Sequence, residues 1–258
     1  MTEWNADRYH DLSSPQQEWG RRVLERLPLE GREVVLDLGC GTGRLTADIA
    51  ARVPAGRVVG VDRSEAMLRT AAPWLRQHAR GTLLVLGDAA ALPFRRAFDA
   101  VFSGATFHWI RDHAALFRSI ITVLRPGGRL VAQCGGGPNI AQLLGRADRL
   151  MRDANFSPFF EDWTEPTYFA DVASTARRLT TAGFVDVEVS LEPAPTPFDG
   201  AEAFQEFIAH VCVRHHIARM PLPERTVFLR ELTLAAAADS PPFTLDYCRL
   251  NISARRPS

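Results

Sequence analysis

The chain has 258 residues, 46% of them hydrophobic, and 30 basic residues balance 30 acidic ones for a formal net charge of zero. Such a balance gives no electrostatic footprint for nucleic acid or an anionic membrane surface. All 30 basic residues are arginine, which excludes chemistry that needs the protein's own lysine amine, such as a Schiff base or a phosphate-loop lysine.

The opening stretch, MTEWNADRYHDLSS, carries no apolar signal region, and no apolar run approaches membrane-spanning length. The four cysteines, Cys40, Cys134, Cys212 and Cys248, have neither metal-ligand nor disulfide spacing. A soluble cytoplasmic protein without a metal is the expectation. Residues 15–27 read as a helix with Trp19, Val23, Leu24 and Leu27 on one face. A regular alternation then begins. Apolar runs at Val34–Leu38, Arg57–Val61, Thr82–Leu86, Phe98–Ser103 and Arg129–Cys134 predict strands. Between them, helices are predicted at Arg44–Arg52, at 64–77 with a Ser64 cap, and at 113–124, where RPGG ends the last. Parallel neighbours need crossover helices, so this order predicts a parallel sheet covered on both faces.

After GGGPN at 135–139 the pattern loosens. Helices are expected at 140–151, 169–182, 201–218 and 223–238, and strands at Val185–Leu191 and Leu245–Ala254. The predicted helix 201–218 is amphipathic, with Phe204, Phe207, Ile208, Val211, Cys212 and His215 on its apolar face. One domain spanning 1–258 is expected, with a ligand-binding core at about 30–135 and helical cap insertions at about 140–166 and 201–238.

The stretch VVLDLGCGTGRL, from Val34 to Leu45, places Gly39, Gly41 and Gly43 directly after a strand and before a helix. Small residues there let backbone approach a ligand, and the helix start offers unpaired N–H groups. Asp62 ends the second strand, where a carboxylate can accept both hydroxyls of an adenosine ribose. Asp88 ends the third strand, so Asp37, Asp62 and Asp88 share one edge of the sheet. Dinucleotide enzymes show Gly-x-Gly-x-x-Gly; here the third glycine comes one residue early and Asp37 stands close by. A carboxylate in that place repels a pyrophosphate and suits a ligand with an ammonium and a sulfonium.

DLGCGTG, GVDRS, GDAAALPF and LRPGGRLV together resemble the Rossmann-like class I S-adenosylmethionine-dependent methyltransferases. WNADRY, FHWIRDH and the late helical cap add a narrower likeness to trans-aconitate methyltransferases and the carboxyl O-methyltransferases of biotin synthesis. The resemblance implies an α/β three-layer sandwich with a seven-stranded, mostly parallel sheet whose last strand is antiparallel. It implies S-adenosylmethionine as cofactor, S-adenosylhomocysteine as product, and a small-molecule acceptor for a monomer or homodimer, with no nucleic acid or membrane partner. Backbone around Gly39, Cys40, Gly41 and Gly43 then contacts the methionine end. Asp62, with Arg63 beside it, matches the ribose-binding position, and Asp88 and Ala89 match the adenine-contacting pair. Ser103 and Gly104 match positions near the cofactor amino group. Met67 either packs on adenine or is a core methionine, and Tyr9 and Trp4 either fold over the cofactor as a lid or anchor the chain end.

On the acceptor side, FHWIRDH leaves the fourth strand on the cofactor edge, which makes His108 the candidate catalytic and substrate residue. Trp109, Trp163 and His215 are further substrate candidates, each with a plain packing role as the alternative. No specific arginine can be matched to a substrate carboxylate. O-methylation of a carboxylate is therefore one possibility within small-molecule methylation. The alternatives are a non-catalytic cofactor-binding partner or regulator, and a nicotinamide-dependent oxidoreductase.

Overall fold

In the computed structural model the structure describes residues 14–258, and these begin with α1 (Ser14–Glu25). The alternation follows as β1 (Val34–Leu38), α2 (Arg44–Arg52), β2 (Arg57–Asp62), α3 (Glu65–His78), β3 (Leu83–Leu86), β4 (Phe98–Gly104), α4 (His113–Val123) and β5 (Leu124–Gly135). After α5 (Ala141–Met151) come α6 (Val172–Thr181), β6 (Val185–Pro193), β7 (Thr196–Pro197), α7 (Ala201–Phe207), α8 (Arg214–Ile217), α9 (Leu222–Ala237), β8 (Thr244–Leu245) and β9 (Cys248–Arg255). These residues cluster into two compact units. The larger holds 14–137, Thr167–Glu192 and Arg249–Ser258, and the smaller holds Pro138–Pro166 and Pro193–Cys248.

The larger unit is built on a seven-stranded sheet of order β3-β2-β1-β4-β5-β9-β6. Strands β1 to β5 pair in parallel, and β9, the last strand of the chain, runs antiparallel to β5. This is the three-layer α/β sandwich expected from the sequence. Successive side chains on a strand point to opposite faces. On one face Val35, Val58, Ala100, Phe102 and Val131 pack with Val23 and Leu24 of α1 and Ile49 of α2. On the other, Leu36, Leu38, Val59, Val61 and Val101 pack with Leu116, Phe117 and Ile120 of α4 and Leu179 of α6. Each such side chain, fully buried, contributes ~1.5–3 kcal/mol, and burial on both faces explains why these strands read as unbroken apolar runs. Helix starts are fixed locally: Ser64 Oγ accepts from the Met67 N–H at 3.2 Å, and Asp171 accepts from the Ser174 N–H at 2.8 Å.

In the smaller unit, β7 and β8 form a short antiparallel pair, and Phe156, Phe160, Phe204, Phe207 and Phe228 are buried. Arg146 forms an ion pair with Asp239, both largely buried. The helix expected over 201–218 is interrupted. A π-turn occupies Ile208–Cys212, with the Val213 N–H donating to the Ile208 carbonyl at 2.8 Å. A π-turn adds one residue to a helical repeat, so the buried stripe moves by one position. His216, only 2% exposed, stands inside, and His215 is half-buried.

Candidate active site

Parallel strands end at a common edge, and ligands in such sheets bind in the crevice outside those carboxyl ends. β1 ends in a turn that the glycines make possible. Gly39 has φ +77°, and a Cβ there would lie 2.1 Å from Thr106 Oγ1. The Gly39 and Cys40 N–H groups donate to the Val61 carbonyl at 2.7 and 3.0 Å, which lays the turn against β2. Gly41 has φ +53° and no atom within 4 Å of its missing Cβ, so the backbone presents a bare face.

Asp62 locks this turn to the end of β2. Its Oδ2 accepts from the Gly41 N–H at 2.8 Å and its Oδ1 from the Ser64 N–H at 2.9 Å. Burial nevertheless raises its pKa above the ordinary carboxylate value. Asp88 Oδ1 accepts from the Ala90 N–H at 2.9 Å and so caps the short turn Ala89–Ala91.

A cleft lies along this edge, in the place where open α/β sheets bind their ligands. Of the residues expected at the cofactor, Gly39, Gly41, Asp62, Arg63, Met67, Asp88, Ala89 and Gly104 line it together. Met67 is buried as well, so its core role and its place in the cleft wall coexist. Asp37, Gly39, Cys40, Gly41 and Gly104 line a recess on the other side of the glycine turn, together with Gln17 and Arg44.

Asp37 is 2% exposed and accepts from Thr46 Oγ1 at 2.6 Å. Burial lifts its pKa to about 7, against the lowering effect of the Thr46 hydrogen bond. Two expected residues stand outside both spaces: Ser103 is buried with its Oγ donating to the Leu38 carbonyl at 2.6 Å, and Gly43 packs toward Leu75 and Ala71. Tyr9 and Trp4 lie outside the described residues.

Trp109 lines the cleft, whereas His108 does not. The His108 Nδ1 accepts from the Gly135 N–H at 3.2 Å, and its ring centroid lies 5.1 Å from that of Trp109 and 5.8 Å from that of Phe169. Burial, with Arg249 and His113 nearby, pushes its pKa down to about 3. A neutral imidazole with Nδ1 so engaged carries its proton on Nε2. His108 is therefore equipped to donate a hydrogen bond, not to remove a proton. Trp163 and His215 belong to the smaller unit. There the Trp163 ring packs at a tilt against His216, with centroids 4.5 Å apart, and takes the Arg219 guanidinium at 6.0 Å, while desolvation lowers the His215 pKa to about 4.

The sequence reading missed Ala105 and Thr106. Ala105 takes φ 54°, a conformation that costs a non-glycine residue on the order of 1 kcal/mol or more. It turns the chain off β4 so that both residues line the cleft. Their one sequence signal is that they sit between the predicted strand and FHWIRDH.

A model of the methyltransferase domain matches residues 35–128. The chain is 38% identical over 133 residues to a trans-aconitate 2-methyltransferase of Methylobacterium radiotolerans, covering 52% of this chain and 50% of the relative. It thus spans about half the length of that relative. It is 30% identical over 189 residues to an uncharacterized methyltransferase of Schizosaccharomyces pombe, covering 70% of each. A solved structure of Haemonchus contortus phosphoethanolamine N-methyltransferase 2, in complex with S-adenosyl-L-methionine, superposes over 93% of this chain and 53% of that one. Its TM-score is 0.62 at 20% identity. With the sheet order, the glycine turn and the strand-end carboxylates, these likenesses show that the chain belongs to the Rossmann-like class I S-adenosylmethionine-dependent methyltransferases.

Proposed function

We propose that the protein transfers a methyl group from S-adenosylmethionine to a carboxylate oxygen of a small organic acid. The observation that carries the cofactor half is the Asp62 carboxylate, held by the Gly41 and Ser64 N–H groups on the wall of the cleft. The donor set fits the cofactor: a carboxylate for the ribose hydroxyls, an apolar wall at Met67 and Val61 for the base, and a bare backbone at Gly41. Asp88 and Ala89 are assigned to the adenine edge, and Asp37 to the positive charge of the amino-acid portion. When bound, S-adenosylmethionine supplies an electrophilic methyl on a sulfonium leaving group.

The chain's task is then to align two reactants and exclude water, an effect that can lower a barrier by ~7–11 kcal/mol. A carboxylate acceptor arrives already ionised and needs no general base. That agrees with a His108 whose remaining polar group is an Nε2–H, able to orient an oxygen. Trp109 offers an apolar wall on the same side. The likeness to trans-aconitate 2-methyltransferases supports a carboxylate as acceptor, because trans-aconitate is a polycarboxylic acid.

Calorimetry with S-adenosylhomocysteine tests the cofactor half, and one-to-one binding is expected. Asp62→Ala should weaken it about 100-fold, since hydrogen bonds to a charged group are worth ~1.5–3 kcal/mol. No binding at millimolar ligand would sink the reading. Labelled cofactor offered to carboxylic acids, phenols and amines tests the acceptor half, and label is expected in base-labile esters of the acids.

A further inference from the structure

The sheet ends at β3. Among the described residues this strand has β2 as its single neighbour in the sheet. Main-chain N–H and C=O groups point to alternate sides from one strand residue to the next. The Gly87 N–H donates to the Asp62 carbonyl at 3.0 Å. That parity turns the groups of Leu83 and Val85 toward β2 and those of Leu84 and Leu86 outward. Such an edge is a template for another strand, and natural edges are guarded by charge, proline or a bulge. Residues 81–87, GTLLVLG, hold no charge and no proline, and the register with β2 runs unbroken. The strand instead leaves Leu83 59% and Leu86 57% exposed.

The two ends of β3 differ in shape and in charge. Leu84 packs with Ala71 and Leu75 of α3, and Leu86, two residues on, points to the same face. On that face, beside the start of the strand, lies a groove lined by Leu75, Ala79, Arg80, Thr82 and Leu84. One end of the strand thus carries an apolar knob and the other a recess. Val85 faces the opposite side, where it packs against the core, and Leu83 shares that side. Arg80 precedes the strand and Asp88 follows it, and both are exposed.

We propose that the outer edge of β3 is a homodimer interface, in which two copies pair antiparallel about a two-fold axis at Leu84 and join their sheets into one. The axis sets Leu84 opposite its own copy, Leu83 opposite Val85 and Leu86 opposite Thr82. Leu86 of each copy then enters the groove beside Thr82 of the other, and Leu83 covers Val85. The two Leu84 residues exchange a pair of hydrogen bonds, and each Leu86 N–H reaches the Thr82 carbonyl across the axis. The Thr82 N–H is already given to the Ala79 carbonyl at 3.3 Å and is not called on. A register one residue away would set outward groups opposite inward ones. Arg80 at the entry of one strand comes to Asp88 at the exit of the other, so charges of opposite sign meet at both ends. A second copy is the fitting partner because the edge complements itself in shape, hydrogen bonding and charge, as a two-fold interface must. Asp88 also lines the cleft, so the interface reaches its rim.

Sedimentation velocity on the full chain, over about a hundredfold range of concentration, tests the interface, and a monomer–dimer equilibrium is expected. Leu86→Lys puts a charge on the knob, and Arg80→Glu sets two acids together at each end. Each should weaken the dimer at least about tenfold. Both side chains are exposed, so both variants should keep the parent's circular dichroism spectrum. Cross-linking tests the register. Paired strands hold the two Leu84 Cα atoms ~5.5 Å apart, within reach of a disulfide, and the two Leu86 Cα atoms ~14 Å apart, beyond it. Under mild oxidation Leu84→Cys should therefore form covalent dimers, and Leu86→Cys should form no more than the parent. A parent that stays monomeric at every concentration would overturn the proposal, because the edge is then open or covered by something other than a second copy. A dimer that neither Leu86→Lys nor Arg80→Glu weakens would place the interface elsewhere and overturn it too. A dimer that both weaken but that Leu84→Cys does not trap, or that Leu86→Cys traps as readily, would overturn the two-fold axis at Leu84.

Discussion

At the scale of a residue, Asp37 shows what the site costs the fold. Its carboxyl is 2% exposed and its pKa is raised from 3.8 to about 7. In the folded state the group therefore keeps its proton to higher pH than in the unfolded chain. The stability associated with that proton is full below about pH 4 and is lost as pH rises toward 7. The loss is on the order of 4 kcal/mol when the shift is converted at ~1.4 kcal/mol per unit. Asn in this place keeps an acceptor for Thr46 Oγ1 and removes the charge. Asp37→Asn should accordingly raise stability by ~2 kcal/mol at pH 8 and change little at pH 4, as read by urea unfolding at the two pH values. The cationic end of the cofactor should draw the proton off. Calorimetry of S-adenosylhomocysteine binding to the parent near pH 7, in buffers of different ionisation heat, should then show release of a fraction of a proton that Asp37→Asn abolishes. An unchanged proton count in the variant would remove Asp37 from the cofactor's surroundings.

At the scale of an element, the glycine turn separates two kinds of constraint. A methyl on Gly39 collides with Thr106 Oγ1, whose own bond to the Gly104 carbonyl is 3.0 Å, so the end of β4 must move. A methyl on Gly41 meets no atom, and Gly41 lines the cleft. Gly39→Ala should cost ~2–4 kcal/mol of stability, as strain plus displaced contacts. Gly41→Ala should cost only ~1 kcal/mol, from the left-handed backbone, and yet weaken S-adenosylhomocysteine binding more than tenfold. Thermal unfolding and calorimetry on the two variants check the contrast. The turn, Asp62, Asp88 and the Ser64 cap were legible in the sequence because each is set by spacing along a few residues. What was not legible depends on pairing between distant residues or on a local break in periodicity. Helix 201–218 read as one amphipathic helix with His215 inside, but the π-turn at Ile208–Cys212 shifts the stripe and buries His216 instead. The pairing of Gly135 with Arg249 rests on the antiparallel register of β5 and β9, which no local spacing announces.

At the scale of the whole molecule, the pH dependence of stability is decided by histidines that the fold keeps neutral. His108 is shifted from 6.5 to about 3, and His215 and His216 from 6.5 to about 4, in each case chiefly by burial. His113 moves in the same direction. In the unfolded chain these groups take up protons as pH falls through 6.5; in the fold they do not. Their contribution is therefore full above about pH 6.5 and is lost progressively down to pH 4 and below. Asp37 acts in the opposite sense over a similar window and Asp62 shifts in the same direction as Asp37, but two carboxyls oppose four imidazoles. The melting temperature should hence fall steadily from pH 6.5 to pH 4. His216 offers a clean probe, because it sits between Trp163 at 4.5 Å and Phe160 at 6.3 Å, with Glu165 Oε2 3.7 Å from its Nε2. Among the described residues its Nδ1 has no hydrogen-bond partner. Phenylalanine supplies a ring of similar size with nothing to protonate and no polar atom to desolvate. His216→Phe should match or exceed the parent's melting temperature at pH 7.5 and lose less of it on acidification. A pH profile that superimposes on the parent's would show that His216 takes up its proton as readily in the fold as in the unfolded chain.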